Sequence, residues 1–294
     1  MPTTRASIVG PVAALVKRAL VASCIGAALP ATAVAGDASD AIEIVSLNAW
    51  GLPSPLAPHR RERLPRIARW LQDVDPDVVA IQELWSGSTA YLPMPVQRRS
   101  VSGDDGLAIA GRAALTDRAT LHFDHARGWD MFKAKGAMRG RVHTRGGPDL
   151  WVVVTHMQAG YGRANARVRE AQVDQLLRWT QDLDGPIVFV GDFNVDTAFP
   201  EDAGVFKRLR AAGLVDLADS FGATEATYPG DGHRYDHILA RGGSGWKIVT
   251  DAVVVVEYDD DPQTAAPSMF SDHRPLRARL HLERDRTQDS LSTQ

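Results

Sequence analysis

Short apolar runs rich in β-branched residues recur along the chain. Residues 42–47, 78–81, 107–110, 150–155, 187–190, 238–240, 248–256 and 275–282 have the length and composition of strands. Between some of them the period changes. Leu64, Ile67, Ala68 and Leu71 fall at i, i+3, i+4 and i+7, with arginines on the other faces, which predicts a helix. Residues 163–182 lack Gly and Pro and place Val173, Leu176, Leu177 and Thr180 on one stripe, a long helix. A shorter helix is predicted over 201–212, ending at Gly213. Strands mixed with helices, with no repeat and no linker, predict one layered α/β or α+β domain over residues 36–294.

The first 35 residues follow another pattern. Their only charges are Arg5, Lys17 and Arg18, followed by a mostly apolar run that ends in Ala33-Val34-Ala35. This is the order of a secretory signal, with cleavage expected after Ala35 and a secreted or periplasmic destination. A retained N-terminal anchor is the alternative. Cys24, the one cysteine, lies within this segment. A lipid anchor at Cys24 is a further alternative, although only five residues separate it from Arg18. The mature chain would have no thiol, which excludes cysteine catalysis and cysteine-based zinc sites. Without the three basic residues of the leader, 30 basic residues stand against 36 acidic ones, a net charge of −6. That balance does not advertise nucleic-acid binding, though a metal can supply local positive charge.

Chemistry gathers at the strand ends. Asn48 follows the first run, Gln82-Glu83 the second, His156 another, and Gly191-Asp192-Phe193-Asn194 the run at 187–190. Asp236 opens a strand, and Asp272-His273 precede the last one. Strand ends on one edge of a sheet converge, and loops there carry function. Carboxylates, amides and two imidazoles suit Mg²⁺, with Mn²⁺ or Ca²⁺ as alternatives; zinc held by carboxylates stays open. Singly, each residue has a plainer use: a turn, a cap, a surface ion pair or a core histidine. Jointly they form a set for metal-assisted hydrolysis of a phosphate ester with no covalent nucleophile.

These motifs, together with Thr155-His156, Tyr235-Asp236-His237-Ile238 and Ser271-Asp272-His273, resemble in order and spacing the endonuclease/exonuclease/phosphatase superfamily. The resemblance implies a DNase I-like α/β fold, a four-layered sandwich of two packed, mainly antiparallel sheets flanked by helices. It also implies roles. Glu83 is the principal Mg²⁺ ligand, with Asn48, and Asp272 completes the metal candidates. Asp192 and Asn194 orient water or phosphate. Asp272 orients His273 as base, with Asp192 the alternative base. His156 donates to the phosphate, and Asp236 supports transition-state charge or a metal. Within the superfamily the chain is most similar to neutral sphingomyelinases, through Leu47-Asn48-Ala49-Trp50-Gly51-Leu52-Pro53, Gln82-Glu83-Leu84-Trp85 and Lys135-Gly136.

That similarity implies a phosphodiester substrate, a phospholipid headgroup at a membrane surface, and no obligate protein partner. Lys135, Trp50 and Trp85 are the substrate-binding candidates. A nuclease is the alternative, with Arg60, Arg61, Arg63, Arg66 and Arg69 tracking nucleic acid. An inositol-phosphate phosphatase using Lys135, Arg139 and Arg141 is a second. A binding module that has lost its chemistry is a third.

Overall fold

The computed structural model describes residues 40–53, 55–85, 88–92, 95–98, 104–145, 147–257 and 270–286. The expected leader and most of the 259–270 loop lie outside these residues. In chain order the elements are β1 (Ile42–Asn48), α1 (Arg60–Val74), β2 (Val78–Gln82), β3 (Val96–Arg98), β4 (Ala108–Ala110), β5 (Leu115–His122), β6 (Gly136–Val142) and β7 (Leu150–His156). Then come α2 (Arg163–Trp179), β8 (Ile187–Asp192), α3 (Ala203–Ala211), β9 (Val215–Asp216), α4 (Leu217–Phe221), β10 (Asp236–Arg241), β11 (Trp246–Val255) and β12 (Leu276–Arg284).

The strands form two six-stranded sheets, ordered β11-β12-β1-β2-β4-β3 and β5-β6-β7-β8-β10-β9. The pairs β1–β2 and β7–β8 are parallel, and the other described pairs are antiparallel. This is the expected mainly antiparallel pair of sheets.

Three apolar layers hold the sandwich together. Between the sheets, Ile42, Ile44, Val78 and Ala80 share one cluster with Val152, Val154, Val188 and Val190. On the outer face of the first sheet, Val45, Leu47, Val79 and Ile81 join Leu64, Ile67 and Leu71 of α1. On the outer face of the second, Val153, Ile187 and Phe189 join Val173 and Leu176 of α2 and Val205, Phe206 and Leu209 of α3. The central strands are therefore buried on both faces, which is why they read as continuous apolar runs rather than alternating ones. Each buried Val, Leu or Ile contributes about 1.5–3 kcal/mol relative to exposure.

The sequence does not announce β5 and β6. β5 is an exposed edge strand that carries Thr116, Asp117 and Arg118, and β6 carries Arg139 and Arg141, so neither forms an apolar run. The expected helix at 201–212 begins instead as a 3₁₀ turn, Pro200–Asp202, before α3. Pro200 has no N–H to donate and suits the first turn.

Candidate functional site

Strand register assembles the site before any side chain is considered. Parallel pairing sets His156 beside Asp192, and antiparallel pairing sets Asp236 on the other side of Asp192. Three functional side chains thus lie in a row at one end of the second sheet. At the same end of the first sheet, Asn48 pairs with Gln82, one residue before Glu83. A buried hydrogen bond then joins the two sheets: Asn48 Nδ2 donates to Asp192 Oδ2 at 3.1 Å. Asn48 Oδ1 accepts from the Trp50 N–H at 3.0 Å.

The turn before β12 brings in His273. Its Nδ1 lies 2.7 Å from Asp236 Oδ2, and its Nε2 lies 3.8 Å from Asp192 Oδ2. The expectation that Asp272 orients this imidazole is corrected here. The Asp272 carboxylate accepts from Ser271 Oγ instead, and lies close enough to Glu83 to feel its charge. The acid on Nδ1 is Asp236, 37 residues away in the chain.

The electrostatics follow from burial. Burial opposes charge on His273, but Asp236 and then Asp192 outweigh it and raise its proton affinity. Burial raises Asp192, against the pull of His273. His156 is held neutral, by burial first and by the Lys135 ammonium second.

Lys135 is buried, with Nζ 2.6 Å from Met157 O, 3.0 Å from His156 Nε2 and 3.0 Å from Asp130 Oδ2. An ammonium has three protons, and all three have acceptors here. The expected substrate-binding lysine therefore reaches the cleft wall but spends its donors on His156, Asp130 and the Met157 carbonyl. Asp130 also accepts from the Ala159 N–H at 2.7 Å. Asn194 is placed by donating its Nδ2 to Met157 O, 3.2 Å away, while its own N–H bonds Asp192 Oδ1 at 2.9 Å.

These groups line a cleft of about 230 Å³, with Glu83, Lys133, Lys135, His156, Asp192, Asn194, Tyr228 and His273 in its walls. Trp50 and Trp85 are not among the described residues lining it. Trp50 stacks on the Arg63 guanidinium at 4.6 Å, and Trp85 lies 5.9 Å from Lys133 Nζ.

The donor set fits a hard cation. Glu83 Oε2 and Asp236 Oδ1 are buried and lack a hydrogen-bond partner among the described residues. A buried carboxylate oxygen in that state calls for a ligand. Glu83 also holds a positive φ of 52°, strained backbone of the kind kept at functional sites. Among the described residues no three His, Cys, Asp or Glu side chains form a metal-binding group. A cation on Glu83 would take its other ligands from water, substrate or an amide. Mg²⁺ commonly binds that way, through one or two carboxylates with retained water.

Sequence reasoning missed Asp130, Arg169, Tyr161 and Tyr228. Arg169, on α2, is buried and donates to Asp202 Oδ1 at 2.6 Å and to Gly160 O at 2.7 Å, fixing the cleft loop. Its place among buried positions of α2 follows from the helical period, but its partners do not. Arg63, from the arginine run, is likewise buried and donates to Pro58, Ala49, Phe270 and Trp50 carbonyls. It is a loop clamp and not part of a nucleic-acid track.

Comparison with known proteins gives a consistent picture. The sequence profile described as "Endonuclease/Exonuclease/phosphatase family" matches residues 45–273. A Drosophila melanogaster protein named "Putative neutral sphingomyelinase" is 25% identical over 280 residues, covering 82% of this chain and 61% of that protein. Human "Sphingomyelin phosphodiesterase 2" is 26% identical over 294 residues, covering 86% of this chain and 67% of that protein. The chain thus spans under two thirds of the fly protein's length. Among solved structures, D. rerio TDP2 complexed with a single-strand DNA product superposes with a TM-score of 0.66 at 17% identity, covering 82% of this chain and 99% of that one. A Staphylococcus aureus beta toxin mutant with bound magnesium ions superposes with a TM-score of 0.61 at 19% identity, covering 81% and 99%. At these identities the structural likeness establishes the DNase I-like fold.

Proposed function

Because the chain belongs to the endonuclease/exonuclease/phosphatase family, we propose that it is an exported, Mg²⁺-dependent phosphodiesterase that hydrolyses sphingomyelin to ceramide and phosphocholine. The observation that carries the hydrolytic reading is the buried Asp236–His273–Asp192 row opposite the unpartnered Glu83 oxygen. The lipid substrate rests on the two sphingomyelinase-named relatives. Export rests on the basic-then-apolar pattern of the first 35 residues.

The residues have these parts. Glu83 would hold the cation, with the nearby Asp272 carboxylate adding negative charge. The cation, when bound, neutralises phosphate oxygens and steadies the leaving group. Asp236 fixes the ring of His273. Nε2 of His273 and Oδ2 of Asp192 lie 3.8 Å apart at the cleft wall; the acids beside the ring favour its protonated form, so Asp192 is the ready acceptor for a proton leaving water and His273 accepts one only when neutral. Asn48 holds Asp192 in place, and Asn194 offers an amide at the cleft wall. Lys135 keeps His156 neutral and oriented, which suits a hydrogen-bond donor to phosphate.

The test is phosphocholine release from sphingomyelin in detergent micelles, with Mg²⁺ and with EDTA, beside plasmid nicking and inositol-phosphate hydrolysis by the same preparation. Mg²⁺-dependent phosphocholine release without nicking is expected. Nicking alone would move the substrate to nucleic acid, phosphate release alone to a monoester, and silence in all three would leave a binding module.

A further inference from the structure

The loop between β5 and β6 exposes an apolar group that the fold does not need. Trp129 is 84% exposed, Phe132 83% and Met131 66%. All three belong to the 3₁₀ turn Gly128–Phe132, and the two rings sit 6.0 Å apart. Large side chains in a slack loop ordinarily fold back on the surface; this loop is held out. Asp130, between the exposed residues, is buried, and its carboxylate takes the Ala159 N–H and the Lys135 and Lys133 ammonium groups. Upstream, Arg127 and Gln158 exchange two hydrogen bonds, at 2.8 Å and 3.1 Å. Both anchors lead to the 157–160 segment, which forms part of the cleft wall.

The exposed group is also continuous with the cleft. Lys133, one residue after Phe132, lines it, and so do Ala159, the partner of Asp130, and the exposed Tyr161. Resting on the functional reading above, we infer that Trp129, Met131 and Phe132 insert into the interfacial zone of a phosphocholine-lipid bilayer and present the cleft to its headgroups.

Three points select this occupant. Trp with a second aromatic favours the headgroup level of a bilayer, where one end of the ring is wet. Arg127 and Lys133 flank the group with positive charge, which suits the lipid phosphates beneath the choline layer. Three side chains offer roughly 500 Å² of apolar surface, well short of the roughly 800 Å² per partner of a stable dimer. With a mature charge of −6, general attraction to an anionic surface is weak, so binding is carried by apolar insertion and changes little with salt.

The experiment is co-sedimentation of the mature protein with phosphatidylcholine–sphingomyelin vesicles in EDTA, which stops turnover. A Trp129→Ala/Phe132→Ala variant should bind at least about tenfold more weakly, with its melting temperature and its hydrolysis of micellar sphingomyelin unchanged. Trp129→Phe should keep binding but lose most of the fluorescence quenching by brominated acyl chains, a readout that needs no destabilising change. Unchanged vesicle binding by the double variant, or unchanged quenching in Trp129→Phe, overturns the inference. So does self-association that the double variant abolishes while vesicle binding persists. If the variant loses vesicle binding but the wild type releases no phosphocholine from micelles, the docking surface stands and the substrate assignment falls.

Discussion

Asp236 Oδ2 lies 2.7 Å from Nδ1 of His273, although 37 residues separate them and Asp272 is the adjacent acid. Their pairing joins the two sheets' contributions: Asp236 opens β10 of the second sheet, and His273 precedes β12 of the first. The carboxylate fixes the ring so that Nε2 turns toward Asp192 and the cleft, the arrangement of a base held by an orienting acid.

Glu83→Gln should raise the Mg²⁺ concentration needed for half-maximal rate at least about tenfold, because one charged ligand is lost. Thermal unfolding supplies an independent readout. Saturating Mg²⁺ should raise the melting temperature of the wild type and move that of the variant less.

Lys135→Met should destabilise the fold. It leaves Asp130, His156 Nε2 and Met157 O without their shared donor in a buried setting. Breaking one side of such a pair costs about 3–5 kcal/mol, or roughly 10 °C in melting temperature for a domain of this size. Adding Asp130→Asn should recover part of the loss, and a double-mutant cycle measures the coupling.

Acid should weaken the fold through Asp216. Burial raises this carboxyl, but His237, 2.6 Å away, and Arg234, 2.9 Å away, outweigh it and lower it to about 2. Its ordinary value is 3.8, so the charged form is favoured in the folded state. The stabilisation, about 2 kcal/mol, is complete above pH ~4 and disappears as the pH falls toward ~2. Urea unfolding of wild type and Asp216→Asn should therefore show a gap that narrows across that window. A gap that stays constant would contradict the assignment.

Much of this was legible in the sequence, for a physical reason. β1, β2, β7 and β8 are buried on both faces, so each reads as an unbroken apolar run, and the polar residue that ends each run marks the edge where the site lies. Asn48, Glu83, His156 and Asp192 could be found that way, Asp236 by its place at the start of β10, and so could the layered fold. Partner choice was not legible. Whether His273 pairs with Asp272 or Asp236 depends on the direction of a turn, which residue spacing does not encode. Lys135 was expected to meet substrate, and its burial was not legible because its acceptors come from Asp130 and the end of β7. β5 was hidden by its exposed, charged face, and with it the exposed turn that follows.

The measurement that bears most directly on the site is the turnover of micellar sphingomyelin by wild type, Asp236→Asn and Asp272→Asn across a Mg²⁺ titration. The wild type should release phosphocholine only with Mg²⁺. Asp236→Asn should lower kcat by roughly 10²–10⁴-fold with its Mg²⁺ requirement unchanged, whereas Asp272→Asn should shift the Mg²⁺ requirement. Wild-type kcat in Asp236→Asn, or no phosphocholine release from the wild type at any Mg²⁺ concentration, would contradict the account.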